Sequence, residues 1–212
     1  VQCLIIFPLL KICCKLNVQG KDNLKNLSEP VIFVANHTSH FDTPLTIMAL
    51  PLSFRTRLCP AAWGEFHKIM QLPKKYVVFE KALKLLMYNL YSIFANTYLF
   101  EQTTRPLQSM RYSGKLVDNG WSLLVFPEGE RTDTGQMKQF KQGVGILASE
   151  LMVPVVPLKV EGLFEIFPRG SVFPRSVGKV VVKIGKPISY NELRSKSYIE
   201  ITKMLENAVK NL

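Results

Sequence analysis

Two short apolar runs, each ending abruptly in polar residues, constrain the fold of this chain more than any other feature. Residues 31–35 read Val-Ile-Phe-Val-Ala, and the polar segment 36–42 follows them directly. Residues 121–126 form a second apolar run, which ends at the polar segment 127–132. Short runs of this composition predict internal strands. In open α/β sheets ligands bind at the carboxyl ends of the strands, so we expect both polar segments at one edge of a sheet.

Predicted strands and helices alternate along the 212 residues, which indicates one α/β domain: a mostly parallel or mixed β-sheet covered by helices. The further strands are predicted over 55–62, 154–160 and 180–184. Helices are predicted over 42–50, 63–72 (a short helix or a loop), 85–100, 105–118 and 139–152. The sequence Ser189-Tyr190-Asn191-Glu192 has the form of a capping box and predicts a terminal helix over 189–212. We treat residues 1–212 as one domain.

Composition and charge together predict contact with a membrane surface. Lys and Arg outnumber Asp and Glu by 27 to 16, for a net charge of +11, and 47% of the residues are apolar. This combination favours an anionic lipid surface over nucleic acid, for which the sequence has no recognisable motif. The four cysteines have no CxxC spacing, as expected for a reducing compartment. We therefore predict a membrane-associated protein on the cytoplasmic face.

Two apolar segments are candidates for that contact. Residues 1–16 carry only two charges and residues 85–100 carry none. Both fall short of the roughly 20 residues that span a bilayer, so each is predicted as a helix lying at the membrane interface. A signal peptide or a core helix is the alternative for residues 1–16, and a core helix for residues 85–100.

The two polar segments contain the side chains of a possible reaction site. A histidine followed five residues later by an acid, His37 and Asp42, suggests a base and its orienting carboxylate. Alternatively, Asp42 caps a helix that begins at residues 43–44. Gly129 permits a tight turn, and Arg131 can bind a phosphate through two parallel hydrogen bonds. A surface turn with a solvated Glu-Arg pair is the alternative there.

The order Asn36-His37-x4-Asp42 and then Phe126-Pro127-Glu128-Gly129-x-Arg131 resembles the glycerolipid acyltransferase family, which includes the 1-acylglycerol-3-phosphate acyltransferases. The resemblance continues through Phe140-Lys141-x-Gly143 and residues 153–158, and it covers residues 18–190 in all. It implies the α/β fold of the glycerol-3-phosphate acyltransferases for this core.

The resemblance also implies an activity: an O-acyltransferase that moves a fatty acyl group from acyl-CoA or acyl-carrier protein to a lysophospholipid such as 1-acylglycerol-3-phosphate. His37 is then the general base and Asp42 its orienting partner, with no cofactor beyond the acyl donor and no metal ion. The implied substrate-binding residues are Glu128, Gly129, Arg131, Arg105 and Lys141, with Asn36 and Pro127 in support.

One departure from the family pattern concerns the acceptor. Many members have an arginine just after the strand between the two motifs, where this chain has Leu99-Phe100-Glu101-Gln102. The nearest arginine is Arg105. The phosphate is therefore bound by Arg131 and Arg105, or the acceptor lacks a terminal phosphomonoester. A milder departure is Glu130, where the family often has a small hydroxyl residue.

Two other functions fit the same residues. His37, His40 and Asp42 can be read as three metal ligands, which suggests a metal-dependent phosphoester hydrolase. The fold can also serve as a non-catalytic lipid-binding membrane module. We favour the acyltransferase because a degenerate module needs neither His37 nor Asp42. We treat His40 as a loop residue or as a neighbour of the substrate.

Overall fold

The structure is a computed structural model that describes residues 7–27, 30–62, 98–99, 106–169, 171 and 173–212. Its centre is a sheet of seven strands in the order β1-β7-β6-β2-β5-β3-β4. The strands are β1 Cys14–Gln19, β2 Ile32–Ala35, β3 Leu58–Ala62, β4 Tyr98–Leu99, β5 Ser122–Val125, β6 Val155–Glu161 and β7 Gly178–Ile184. Neighbouring strands are parallel except for β6 and β7, which are antiparallel. The predicted single α/β domain with a mixed sheet is confirmed.

Helices cover both faces of this sheet. They are α1 Phe7–Cys13, α2 Asp42–Ala49, α3 Leu52–Thr56, α4 Pro106–Asp118, α5 Gly143–Glu150, α6 Leu163–Ile166, α7 Tyr190–Leu193 and α8 Tyr198–Lys210, with a 3-10 turn at Lys21–Leu24. Side chains of α1 and α2 pack on one face together with Phe33 and Ala35. Side chains of α5 and α8 pack on the other face with Ile32 and Val34. Because β2 is buried on both faces, its sequence is continuously apolar rather than alternating.

Two predicted boundaries near the amino terminus are wrong. The apolar segment predicted as one helix over 1–16 contains α1 and then turns at Cys14 into β1, which pairs with β7. The strand predicted over 55–62 is helical until Thr56 and extended only from Leu58. Arg55 explains this second difference, because its guanidinium donates to the backbone carbonyls of Leu50 and Met48 at 2.6 Å and so binds the end of α2.

Two predicted helices are shorter or divided. The helix predicted over 139–152 begins only at Gly143, because the backbone N–H groups of Phe140 and Lys141 donate to Glu206 and Pro127 instead. The capping box at Ser189 opens α7 as predicted, but a second capping box at Ser197 starts the longer α8. The terminal helix is thus two helices.

Several predictions concern residues 63–97 and 100–105, which lie outside the described residues. They include the segment 63–72, all of the predicted helix 85–100 except its last turn, and Arg105. Within that last turn Tyr98–Leu99 form β4, so the helix does not extend through it. No helix among the described residues is both long enough and apolar enough to cross a bilayer.

Candidate active site

The two polar segments meet at one edge of the sheet, as the sequence predicts. β2 and β5 are parallel neighbours, with Ile32 opposite Leu123 and Val34 opposite Val125. The loop after β2 runs to Asp42, the first residue of α2, and the loop after β5 contains Glu128. Both loops therefore leave the sheet at the carboxyl ends of adjacent central strands.

His37 and Asp42 are in direct contact at this edge. The Nδ1 atom of His37 lies 2.8 Å from Oδ2 of Asp42. A carboxylate only accepts hydrogen bonds, so the proton of the neutral imidazole is on Nδ1 and Nε2 carries the free lone pair. The His37 side chain is 21% exposed, whereas that of Asp42 is 0% exposed. The pair thus has an accessible ring and a buried carboxylate.

The Asp42 carboxylate is held in place by the loop before it. Oδ2 also accepts the backbone N–H groups of Thr38 at 2.5 Å and Ser39 at 2.7 Å, and Oδ1 accepts the Thr38 hydroxyl at 3.1 Å. The predicted alternative, in which Asp42 caps α2, is wrong: Phe41 occupies the N-cap position, and no side chain caps the helix there. The carboxylate instead organises the loop that carries His37.

Phe126, the residue after β5, stacks on the His37 ring with the two centroids 4.3 Å apart and an angle of 22° between the planes. The stacking on the ring face and the hydrogen bond at Nδ1 together restrict the orientation of the His37 ring. The sequence predicts Phe126 at the end of a strand, and Phe126 is not among the predicted site residues. Its position directly before Pro127 was the available signal.

Glu128 links the loop after β2 to the loop after β5. Its Oε1 accepts the backbone N–H of His37 at 2.7 Å, and its Oε2 accepts the backbone N–H of Lys138 at 2.8 Å. The side chain is buried, and this burial raises the pKa of the Glu128 carboxyl to about 7, although the two N–H bonds lower it. Both oxygens are occupied by the protein itself. This geometry favours a role in positioning His37 over the predicted role in binding substrate.

Further backbone bonds fix the second loop against the first. The backbone N–H of Thr132 donates to the carbonyl of His37 at 3.1 Å. Gly129 has φ 75°, a left-handed conformation that glycine adopts without strain, and its N–H donates to the Phe126 carbonyl at 3.1 Å. The buried Pro127 accepts the backbone N–H of Lys141 at 2.9 Å. The backbone of His37 is therefore bound through both its N–H and its carbonyl.

Two cations hold the turn that contains Arg131. Lys138 Nζ donates to the Arg131 carbonyl at 3.2 Å and to Glu130 at 3.1 Å. Arg169 Nη1 donates to the same carbonyl at 3.3 Å and to the two Asp133 carboxylate oxygens at 2.9 and 3.0 Å. Neither cation is among the predicted site residues. Arg169 is 38 residues from Arg131, and no local pattern signals the contact.

An open cavity of about 480 Å³ lies beside this turn. Its lining includes Asp133, Thr134, Phe164, Glu165, Arg169 and Arg175. The loop after β5 and the segment around α6 thus enclose a space at the same edge of the sheet as His37.

The remaining predicted site residues have different positions. Asn36 is buried and bridges β2 to β6: its Nδ2 donates to the Val160 carbonyl at 2.9 Å, and its Oδ1 accepts the Val160 N–H at 2.7 Å. Lys141 and His40 are exposed. Arg105 lies outside the described residues. In the part of the chain that the structure describes, no group of three His, Cys, Asp or Glu side chains is arranged to hold a metal ion.

Comparison with known proteins gives consistent matches. Residues 15–161 match the family model described as Acyltransferase. The chain is 28% identical over 174 residues to a chloroplastic 1-acyl-sn-glycerol-3-phosphate acyltransferase of Brassica napus, covering 82% of this chain and 45% of that protein. It is 27% identical over 204 residues to one of Arabidopsis thaliana, covering 90% and 49%. The chain thus spans about half the length of these relatives.

A solved structure matches as well. The crystal structure of the 1-acyl-sn-glycerophosphate acyltransferase of Thermotoga maritima superposes with a TM-score of 0.67 at 25% identity, over 92% of this chain and 69% of that one. His37, Asp42 and the loop after β5 all lie within the residues that match the family.

Proposed function

The chain belongs to the acyltransferase family, and from this premise we propose that it transfers a fatty acyl group from a thioester to the hydroxyl of a lysophospholipid. The relatives named above act on 1-acyl-sn-glycerol-3-phosphate, and we propose this acceptor class for the chain. The observation that carries the proposal is the 2.8 Å hydrogen bond between His37 Nδ1 and Asp42, at the sheet edge where both loops meet.

In the proposed reaction His37 is the general base. Its Nε2 takes the proton of the acceptor hydroxyl while that oxygen attacks the thioester carbonyl carbon. Asp42 keeps the proton on Nδ1 and stabilises the imidazolium that forms. Collapse of the tetrahedral intermediate breaks the carbon–sulfur bond, and the imidazolium returns its proton to the leaving thiolate. The products are an ester and a free thiol, and no serine or cysteine nucleophile is required.

The burial of the pair supports these roles. Asp42 is inaccessible and bound by four donors, so it keeps the imidazole oriented without competing for substrate. His37 is accessible enough to meet a hydroxyl. General base catalysis contributes about 10²–10⁴-fold, and the rest of the acceleration is assigned to holding the two substrates in a reactive geometry.

We propose Arg131 as the main cation for the acceptor phosphate, with Arg105 and Lys141 as further candidates. Lys138 and Arg169 both donate to the backbone carbonyl of Arg131. These bonds fix the backbone from which the phosphate-binding side chain extends. Gly129 provides the tight turn before it. The donor is acyl-CoA or acyl-carrier protein, no other cofactor is needed, and the reaction takes place at a membrane on its cytoplasmic face.

The test is an acyl-transfer assay with the purified chain, a panel of lysophospholipids and both donor types, with the product identified by mass spectrometry. We expect transfer to a lysophospholipid with loss of the thioester. We expect Arg131→Ala to raise KM for a phosphate-bearing acceptor more than it lowers kcat. Hydrolysis of a phosphoester that a chelator abolishes, or lipid binding without thioester consumption, would contradict the proposal.

A further inference from the structure

The sheet edge that carries His37 continues into β1 and β7. These strands are parallel, and their first residues, Cys14 and Gly178, are register partners. Because β7 is antiparallel to β6, the amino ends of β1 and β7 lie at the same edge as the carboxyl ends of β2, β5 and β6. The segments just before β1 and β7 therefore lie beside the loops of the active site.

Three large apolar side chains in these two segments point into solvent. Ile12 is 73% exposed, Phe173 81% and Val177 62%. Ile12 lies two residues before Cys14, and Val177 lies directly before Gly178, so the register of the two strands places them near each other. The backbone N–H of Arg175 donates to the carbonyl of Ile166, which ties the segment containing Phe173 to this edge. Neighbouring exposed apolar side chains of this size mark an interaction surface.

Exposed cations flank the apolar side chains along the chain: Lys11, Lys15, Arg175 and Lys179. None of the four forms an ion pair with another described residue, whereas Lys138 and Arg169 nearby are paired with acids. Lys15 and Lys179 are register partners on adjacent strands. Like charges directly opposite in a sheet are unfavourable, so an anionic partner would lower the energy of this arrangement.

We propose that this surface docks the protein on an anionic lipid bilayer, with Ile12, Phe173 and Val177 entering the headgroup layer and the four cations contacting lipid phosphates. We call it the docking edge. Apolar side chains bordered by cations are the pattern that binds an anionic interface. The inference deepens the proposed function, because a lysophospholipid acceptor resides in a bilayer and the docking edge places His37 at its surface. Glu165, an exposed acid in α6, lines the cavity together with Arg175, so the docking edge borders the cavity there.

The opposite edge of the sheet supplies matched controls. Leu52 is 71% exposed, but it lies before the amino end of β3. Lys21 is exposed and lies two residues before Asn23, whose Nδ2 donates to the carbonyl of Ile184 at the far end of β7 at 2.8 Å. The length of β7 separates the two edges by about 20 Å, more than two Debye lengths in physiological salt. Substitutions at Leu52 and Lys21 therefore remove an exposed apolar side chain and an exposed cation at the edge opposite the docking edge.

The experiment is vesicle co-sedimentation with the full chain. Phosphatidylcholine vesicles are compared with vesicles of phosphatidylcholine and phosphatidylglycerol, and neither contains a lysophospholipid or a thioester. We expect binding only to the anionic vesicles and weaker binding in high salt. Removing one cation should weaken binding about fivefold, so Lys15→Gln with Lys179→Gln should weaken it about 25-fold. Phe173→Ser should weaken it about tenfold. Leu52→Ser and Lys21→Gln should stay within about twofold of the wild type.

Three results would overturn the docking edge: equal binding to both kinds of vesicle or to neither, equal effects of the substitutions at both edges, or tighter binding to a DNA duplex than to anionic vesicles. Circular dichroism of each variant shows that it is folded. Because the vesicles contain no substrates, the measurement is independent of catalysis. Docking without acyl transfer by any donor would refute the proposed function alone, and transfer without docking would refute this inference alone.

Discussion

The buried carboxyl of Glu128 yields a prediction about how the stability of the folded protein depends on pH. Its two oxygens accept the N–H groups of His37 and Lys138, yet burial raises its pKa from 4.5 to about 7. In the unfolded chain the carboxyl ionises near 4.5, whereas in the folded chain it keeps its proton until about pH 7. The folded state therefore binds more protons between these values, and the stability it gains below pH 4.5 is lost as the pH rises through 7.

The size of the change in unfolding free energy follows from the shift of the Glu128 pKa. Each unit of pKa corresponds to 1.36 kcal/mol, so the wild type should lose about 3 kcal/mol of unfolding free energy from this group between about pH 4 and pH 8. Glu128→Gln removes the titration and keeps the shape of the side chain. Its amide accepts one of the two N–H groups and faces the other with a donor, which costs about 1–3 kcal/mol at every pH.

The assay is urea unfolding of both proteins at a series of pH values, with circular dichroism as the readout. We expect the stability of the wild type relative to Glu128→Gln to fall by about 3 kcal/mol across the range, with most of the fall between pH 4.5 and 7. Other titrating groups are common to both proteins and cancel. Two curves that run parallel from pH 4 to pH 8 would refute the reasoning about the burial of Glu128.

Three more substitutions test the site and its support. Asp42→Asn should lower kcat by roughly 10²–10⁴-fold with little change in KM, because the amide no longer fixes the imidazole tautomer; unchanged steady-state kinetics would exclude that role. Asn36→Ala leaves the Val160 N–H and carbonyl unpaired, and urea unfolding should show a loss of about 2–4 kcal/mol. Gly145→Ala pushes a methyl group into the backbone of α8 and should cost about 1–3 kcal/mol, whereas Gly114→Ala, with its nearest neighbour at 3.9 Å, should not destabilise the protein.

The sequence was most informative where burial leaves a local pattern. Residues 31–35 are apolar without interruption because both faces of β2 are covered, and the polar residues that follow mark the end of the strand. His37 and Asp42 could be picked out because they follow a buried strand directly, whereas Asn36 at the same place has a structural role and pairs with the backbone of Val160.

Contacts between distant residues were not predictable from local patterns. Glu128 is 91 residues from His37, and nothing in its neighbourhood indicates that it binds that backbone N–H. Arg169 reaches Asp133 over 36 residues. Arg55 lies in a segment with a strand-like sequence, but its bonds to the end of α2 keep its own segment helical. For Glu128 and Arg169 a tertiary hydrogen bond decides the position of the side chain. The Arg55 bonds span only five and seven residues, but the strand-like sequence around Arg55 does not signal them.

The central claim is that His37 is the base that activates the acceptor hydroxyl, and single-turnover acyl transfer from acyl-CoA to 1-acylglycerol-3-phosphate tests it most directly. His37→Gln keeps a polar side chain of similar size, and His40→Gln is the matched control on the same loop. The account predicts that His37→Gln lowers the transfer rate by roughly 10²–10⁴-fold while His40→Gln leaves it unchanged. Transfer by His37→Gln at the wild-type rate would contradict the account.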